Sequence, residues 1–206
     1  QRLSALHTVD IAVSSSLDLQ VTLKVFLEQV TSHLHVDAAD ILLINPHLHF
    51  LEYASGRGFR GTGTSRVNLM VGEDAAGRAA LERAVVGVPD LGAPGPRLSR
   101  PERIAGEGFV SVYAVPLIAR GQVKGVLELY FRKRFDANLE WENFVETLAR
   151  QAAVAIDDAH LFEQLQRSYA DLAVAYDNTI EGWARLLEIR NTEPEGHSHY
   201  VAGLVV

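Results

Sequence analysis

Apolar residues recur along this chain at two periods, and the switches between them divide it into segments. Leu3, Leu6 and Val9 share a helical face near the start. After Ser14-Ser15-Ser16, the set Leu19, Leu23, Phe26, Leu27, Val30 and Leu34 repeats at helical spacing. Two helices, or one interrupted helix, are therefore expected first, with Asp18 placed to cap the second by accepting from free first-turn amides. The period then becomes two. Ala39 to Ile44 reads as a strand, Asn45-Pro46-His47 as a turn and His49 to Tyr53 as the hairpin partner, with Leu48 at the boundary. Gly56, Gly58, Gly61 and Gly63 predict a flexible loop after it.

Arg66 to Leu69 suits a short strand, Glu73 to Ala84 a helix bearing Ala76, Ala79, Ala80 and Leu81, and Val85 to Val88 a strand ending at Pro89-Asp90. Leu91 to Pro101 holds three prolines and two glycines, so it reads as a loop on the surface or over a cavity. Val110 to Ile118 and Val123 to Phe131 are the strongest strand signals, joined by an Arg120-Gly121-Gln122 turn. Pro116 cannot donate to a ladder, which assigns it to a bulge, an edge or an unpaired position. Five or six short strands, paired as antiparallel hairpins and flanked by helices, make the fold class α+β.

From Trp141 through Ile189 the pattern is helical throughout. Leu148, Ala152, Ala155, Ala159, Phe162, Leu165, Tyr169, Leu172, Tyr176, Ile180, Trp183 and Leu187 recur at steps of three and four. Unbroken, such a helix reaches about 75 Å at about 1.5 Å per residue, more than a domain of this size can cover. The alanine-rich first part suits tight packing on the sheet, whereas the later stripe needs another helix. A second copy of the chain supplies one, predicting a homodimer through Phe162, Leu165, Tyr169, Leu172 and Tyr176. The step from Leu172 through Tyr176 to Ile180 breaks a strict heptad. After Arg190, Asn191-Thr192-Glu193-Pro194-Glu195-Gly196 forms a turn, and an apolar pattern resumes from His197 to Val206. The expected organisation is a domain over 1–160, a helical linker over 161–190 and the beginning of a further domain over 191–206.

Composition narrows the functional classes. An apolar share of 48% and a charged share of 22% over 206 residues fit a folded chain with a substantial core. The absence of cysteine excludes disulfides, thiolate nucleophiles and thioether-linked chromophores, and is compatible with a cytoplasmic location. A net charge of −7 argues against nucleic acid as a partner, and no apolar run approaches the roughly 18 residues of a membrane span. Arg132, Lys133 and Arg134 form the one tight basic cluster and read as a solvated turn. The paired histidines His33/His35 and His47/His49 lack a third metal ligand, and no serine stands in a nucleophile–base–acid pattern. The glycines at 56, 58, 61 and 63 lack the lysine–serine/threonine continuation of a phosphate loop.

Three runs carry a family resemblance: Val85-Val86-Gly87-Val88-Pro89-Asp90, the paired strands Ser111 to Leu117 and Gly125 to Tyr130, and the helix Leu148 to Ala159. In this order, residues 10–160 resemble a GAF domain, a small-molecule-sensing fold of signalling proteins. The resemblance implies an effector pocket between the sheet and the segments over one face, with Arg57, Phe59, Asn68, Asp90, Glu107, Phe109, Ser111 and Tyr113 as candidates. The cyclic-nucleotide signature of the family is incomplete: Phe135 matches its phenylalanine, but Arg132-Lys133 and Leu139-Glu140 replace its asparagine-lysine and acidic pairs.

Ala175 to Arg190, followed by Glu193-Pro194-Glu195-Gly196-His197-Ser198, resembles the opening of an HD-GYP domain, the metal-dependent phosphodiesterase of cyclic di-GMP signalling. That resemblance implies Glu193 and His197 as early ligands of iron or manganese in an intact output domain. Asn191 and Tyr200 replace the aspartate and arginine usual in the family. Three functions follow as expectations: a sensory and dimerisation module controlling such a domain, a dimerising scaffold with no ligand, and a metal-dependent phosphodiesterase requiring residues beyond Val206. The chain itself contains no complete catalytic set and requires no cofactor of its own.

Overall fold

The computed structural model describes residues 19–45, 48, 50–61, 68–93 and 106–191, with side chains through Arg185. Its strands are β1 (Ala38–Asn45), β2 (Phe50–Arg57), β3 (Asn68–Met70), β4 (Val86–Val88), β5 (Ser111–Ala119) and β6 (Gln122–Phe131). They form one antiparallel sheet in the order β3-β2-β1-β6-β5-β4. The helices are α1 (Leu19–Leu34), α2 (Asp74–Glu82) and α3 (Leu139–Asn191). The α+β class, the antiparallel sheet and the long C-terminal helix are as the patterning predicts. The chain divides into two units, residues 1–161 and 162–206, and α3 contributes to both.

Strand alternation sorts the side chains into two cores. Ala39 and Ile41 of β1 and Leu127 and Leu129 of β6 meet Leu23, Phe26, Leu27 and Val30 of α1 and Leu148, Ala152 and Ile156 of α3. Ala38, Leu42, Val126 and Tyr130 face the other way, against Ala75, Ala76, Ala79 and Ala80 of α2. Burial on both faces explains why β1, β5 and β6 read as nearly continuous apolar runs. We call these the α1/α3 face and the α2 face.

Two register shifts re-aim side chains. Pairing steps from Ile41↔Ser55 to Leu42↔Tyr53, which leaves Ala54 as an extra residue in β2. It steps from Leu117↔Gly125 to Ile118↔Val123, leaving Lys124 extra in β6. The second shift puts Val123 with the α2 core and turns Lys124 to Asp157 of α3. Pro116 lies one residue from this shift and beyond the last β4 pair, Val86↔Ala114, so it interrupts no central ladder.

The expected loop beginning at Gly56 is corrected by the structure, because Gly56 and Arg57 belong to β2. Gly56 stays in the ladder opposite Asp40, where a Cβ would come within 2.7 Å of the Tyr53 hydroxyl. A side chain at this position would press on Tyr53, Asp40 and Phe59, so crowding, and not a turn, favours glycine there. The reading of residues 1–18 as helical, including the Asp18 cap, lies outside the described residues, as do His47, His49, Glu193 and His197. Among the described residues no helix is long and apolar enough to cross a membrane, and no group of three or more potential metal ligands occurs.

Candidate functional site

On the α2 face, register aligns one row of residues across five strands: Gly56, Asp40, Glu128, Ala114 and Val86. The second and third carry carboxyl groups, both fully buried, and stand directly opposite each other on β1 and β6. Like charges in such a pair oppose sheet pairing, and packing alone would favour apolar residues there. Both have interaction partners within the fold. Over Gly56 the Tyr53 hydroxyl and the Phe59 ring close in beside the two acids.

Aromatic rings border this floor. Phe59, Phe109 and Tyr130 form a mutual cluster with centroids 4.9 to 5.8 Å apart. The Arg132 guanidinium lies 4.9 Å from the centroid of Phe109, a cation–π contact. Arg132 also pairs with Glu107 at 3.0 Å and donates to the Glu107 and Gly58 carbonyls at 2.9 and 3.2 Å. Its own backbone N–H donates to Asp37 at 2.7 Å.

Glu107 is the knot of this corner. One carboxylate oxygen accepts the backbone N–H groups of Arg60 and Gly61 at 2.7 and 2.8 Å, and the other takes Arg132. A single buried side chain thereby joins the segment after β2, the segment before β5 and the end of β6. Burial raises its carboxyl pKa, but the Gly61 and Arg60 amides and the Arg132 guanidinium outweigh burial and hold it below 4.5.

The structure brings Phe59, Glu107 and Phe109 together and places the other predicted pocket residues elsewhere. Arg57 is half-exposed and pairs with Glu28 of α1 at 2.9 Å. Asn68 lies exposed on β3, opposite Glu52. Asp90 accepts the N–H of Gly92 at 2.9 Å, closing a local turn.

Ser111 and Tyr113 alternate onto the α1/α3 face, because Val112 and Ala114 occupy the α2 face between and beside them. The Ser111 hydroxyl donates to the Pro89 carbonyl at 2.7 Å and accepts the Phe135 N–H at 2.9 Å. The Tyr113 hydroxyl donates to the Phe135 carbonyl and accepts the Ala137 N–H. Burial pushes this phenol above 10, so it stays protonated as a donor. Both residues guide the chain from β6 into α3.

Arg132 corrects the reading of the basic cluster as a solvated turn. Its side chain is 19% exposed, whereas Arg134 is 65% exposed. The strand alternation that puts Glu128 and Tyr130 on the α2 face, extended by one step, also puts Arg132 there. Asp40 and Glu128 carried a comparable signal, each being an acid inside an otherwise apolar strand.

This sheet, with helices on one face and a small helix with connecting segments over a polar floor on the other, is matched by a family model. The GAF domain model covers residues 18–156. The chain belongs to the GAF domain family. No curated protein matches it significantly. Solved structures share the fold. The GAF domain of Acinetobacter phosphoenolpyruvate-protein phosphotransferase is 24% identical, with a TM-score of 0.65 over 79% of this chain and 97% of that one. A free methionine-R-sulfoxide reductase from Neisseria meningitidis, in complex with its substrate, is 16% identical, with a TM-score of 0.66 over 78% and 90%. A GAF domain/HD domain protein from Geobacter sulfurreducens is 16% identical, with a TM-score of 0.61 over 72% and 98%. As a GAF domain, the chain is a regulatory sensory and dimerisation module.

Proposed function

We propose that this GAF domain binds a small molecule rich in hydrogen-bond donors on its α2 face and, as a cytoplasmic homodimer, controls an HD-GYP domain hydrolysing cyclic di-GMP. The observation that carries the sensory reading is the buried Asp40–Glu128 carboxyl pair, set side by side across β1 and β6 and flanked by Gly56 and Ala114. An ammonium or a cluster of amide N–H groups answers that chemistry, and the adjacent rings suit its apolar part. The output reading is supported by the likeness of Ala175 to Ser198 to an HD-GYP opening and by the pairing of GAF and HD domains in the Geobacter protein. In such a domain Glu193 and His197 would join the ligand set of an iron or manganese site.

The sensory reading is tested by thermal melts of the chain with free amino acids, methionine sulfoxide among them, and with polyamines. A true ligand at about a hundredfold its Kd adds about 2.7 kcal/mol of stability. Asp40→Asn is expected to abolish that shift while the variant still melts cooperatively. A shift that survives in Asp40→Asn rejects the site, and no shift with any compound favours the scaffold function.

The homodimer is supported by the stripe within residues 162–185, where Leu165, Tyr169, Leu172, Tyr176 and Trp183 are all exposed. Thr179 restores the three–four alternation between Tyr176 and Trp183, while Glu163, Arg167, Asp171, Asp177, Glu181 and Arg185 fall outside the seam. A seam of apolar positions bordered by Gln166, Ser168, Ala173 and Ala175 suits a second copy of itself. Leu165→Glu with Leu172→Glu is expected to shift the protein from dimer to monomer in sedimentation velocity, with residues 19–161 still folded by circular dichroism. Unchanged association would count against this seam.

A further inference from the structure

The two faces of the sheet carry different duties under the proposed function, and the tip of the β5–β6 hairpin is bonded to a helix on each of them. The turn is two residues long, with Ala119 opposite Gln122 and with Arg120 and Gly121 at φ +48° and +75°. Positive φ at both central residues is the tight hairpin geometry whose twist matches the strands. Such a tip has little slack.

On one side the tip is held by α2. Arg83 follows the last residue of that helix, where it adopts a left-handed conformation and its N–H closes the helix end onto the Ala79 carbonyl at 2.9 Å. Its guanidinium then donates to the Gly121 carbonyl at 2.9 Å. On the other side the tip grips α3. Arg120 pairs with Asp157 at 3.0 Å and with Asp158 at 3.4 Å. Lys124, turned by the β6 bulge, reaches Asp157 at 2.6 Å and also donates to Gln122 at 3.0 Å. The Asp157 side chain is 7% exposed. A buried carboxylate held by two cations resists displacement, because moving it away from both leaves a desolvated charge.

We infer that this hairpin tip is the coupling element between the two faces: Arg83 reads the position of α2, and Arg120 with Lys124 imposes it on α3 through Asp157 and Asp158. The two aspartates lie four and three residues before Leu161, the last residue of the first unit. A small change in the seat of α2 would therefore reach α3 through backbone and charged contacts that are short and few. Arg83, Arg120, Lys124 and Asp157 are positioning residues, with no contact to a ligand required of them. β6 reinforces the link, since it carries both the floor carboxylate Glu128 and the clamp lysine Lys124. The inference rests on the two-faced fold and not on the identity of any ligand.

Amide hydrogen exchange on the intact chain tests this without a ligand. Arg83→Gln is expected to raise exchange at least threefold in α3 residues 155–161, to which Arg83 itself is not bonded. Asp157→Asn is expected to do the same in α2 residues 79–83. Arg78→Gln breaks the 3.0 Å Arg78–Glu82 pair within α2 and should leave α3 within 1.5-fold of wild type, separating coupling from general loosening. Arg120→Asn keeps a residue tolerant of positive φ in the exposed tip and should raise exchange in both helices, so the test survives if a buried variant fails to fold. Effects confined to the mutated element, or an Arg78→Gln effect on α3 equal to that of Arg83→Gln, would overturn the inference.

Discussion

Replacing Glu107 with alanine is expected to destabilise the protein by about 3–5 kcal/mol, the cost of leaving a buried charge without its partner. Three losses coincide. Arg132, 19% exposed, keeps its charge against Phe109 without the carboxylate 3.0 Å away. The Arg60 and Gly61 amides lose their acceptor, and three chain segments lose a common tie. Glu107→Gln, which keeps one oxygen, should cost less. Urea titrations of the three proteins at pH 7 measure the difference.

The same residue sets a pH dependence. Its carboxyl titrates lower in the folded protein than the ordinary 4.5, so between the two values the unfolded chain binds more protons. Its contribution is complete above about pH 4.5 and is lost as pH falls through the folded value. Wild type should therefore lose stability relative to Glu107→Gln below pH 4.5. Parallel loss in the two proteins would contradict this assignment.

Gly58→Ala is expected to cost about 2–5 kcal/mol, from about 1–2 for a side chain at positive φ and about 1–3 for overpacking. Gly58 has φ +88°, and an added Cβ would stand 2.8 Å from the Cα of Ala38 and press on the Asp37 carbonyl. Neither neighbour is a side-chain end that can swing away. The displaced backbone includes the Gly58 carbonyl that accepts from Arg132, so the aromatic border of the site should loosen too. Gly121→Ala is the control: its φ is +75°, but a Cβ there meets nothing within 4 Å. Thermal melts should show Gly58→Ala as clearly the less stable. Equal losses would mean that backbone strain alone, without the close approach, decides.

Period and turn chemistry were enough to find the elements, because burial on two faces leaves strong patterns in β1, β5, β6 and α3. Which face of a strand carries the proposed site is harder to read. Ser111 and Tyr113 sit on a strand recognised in advance, yet alternation alone does not say whether odd or even residues look toward α2. Asp40 and Glu128 lie far apart in sequence, and only the β1–β6 register makes them neighbours. Arg132 looked solvated because Lys133 and Arg134 beside it are charged, while its decisive partner lies 25 residues upstream. Arg57 falls within the expected glycine loop, whereas it ends β2, where alternation from Gly56 turns its side chain to Glu28 of α1.

Where α3 rests on the sheet, Ala149, Ala152 and Ala153 form much of the contact. Methyl groups make shallow ridges, which lets the helix axis approach the sheet closely. Val145, Leu148 and Ile156 of the same helix are buried in that core and key it against the sheet and α1. Asp157 adds a charged anchor one residue beyond Ile156, held by Arg120 and Lys124. Close approach through alanine and keying through larger residues together fix the angle at which α3 leaves the sheet.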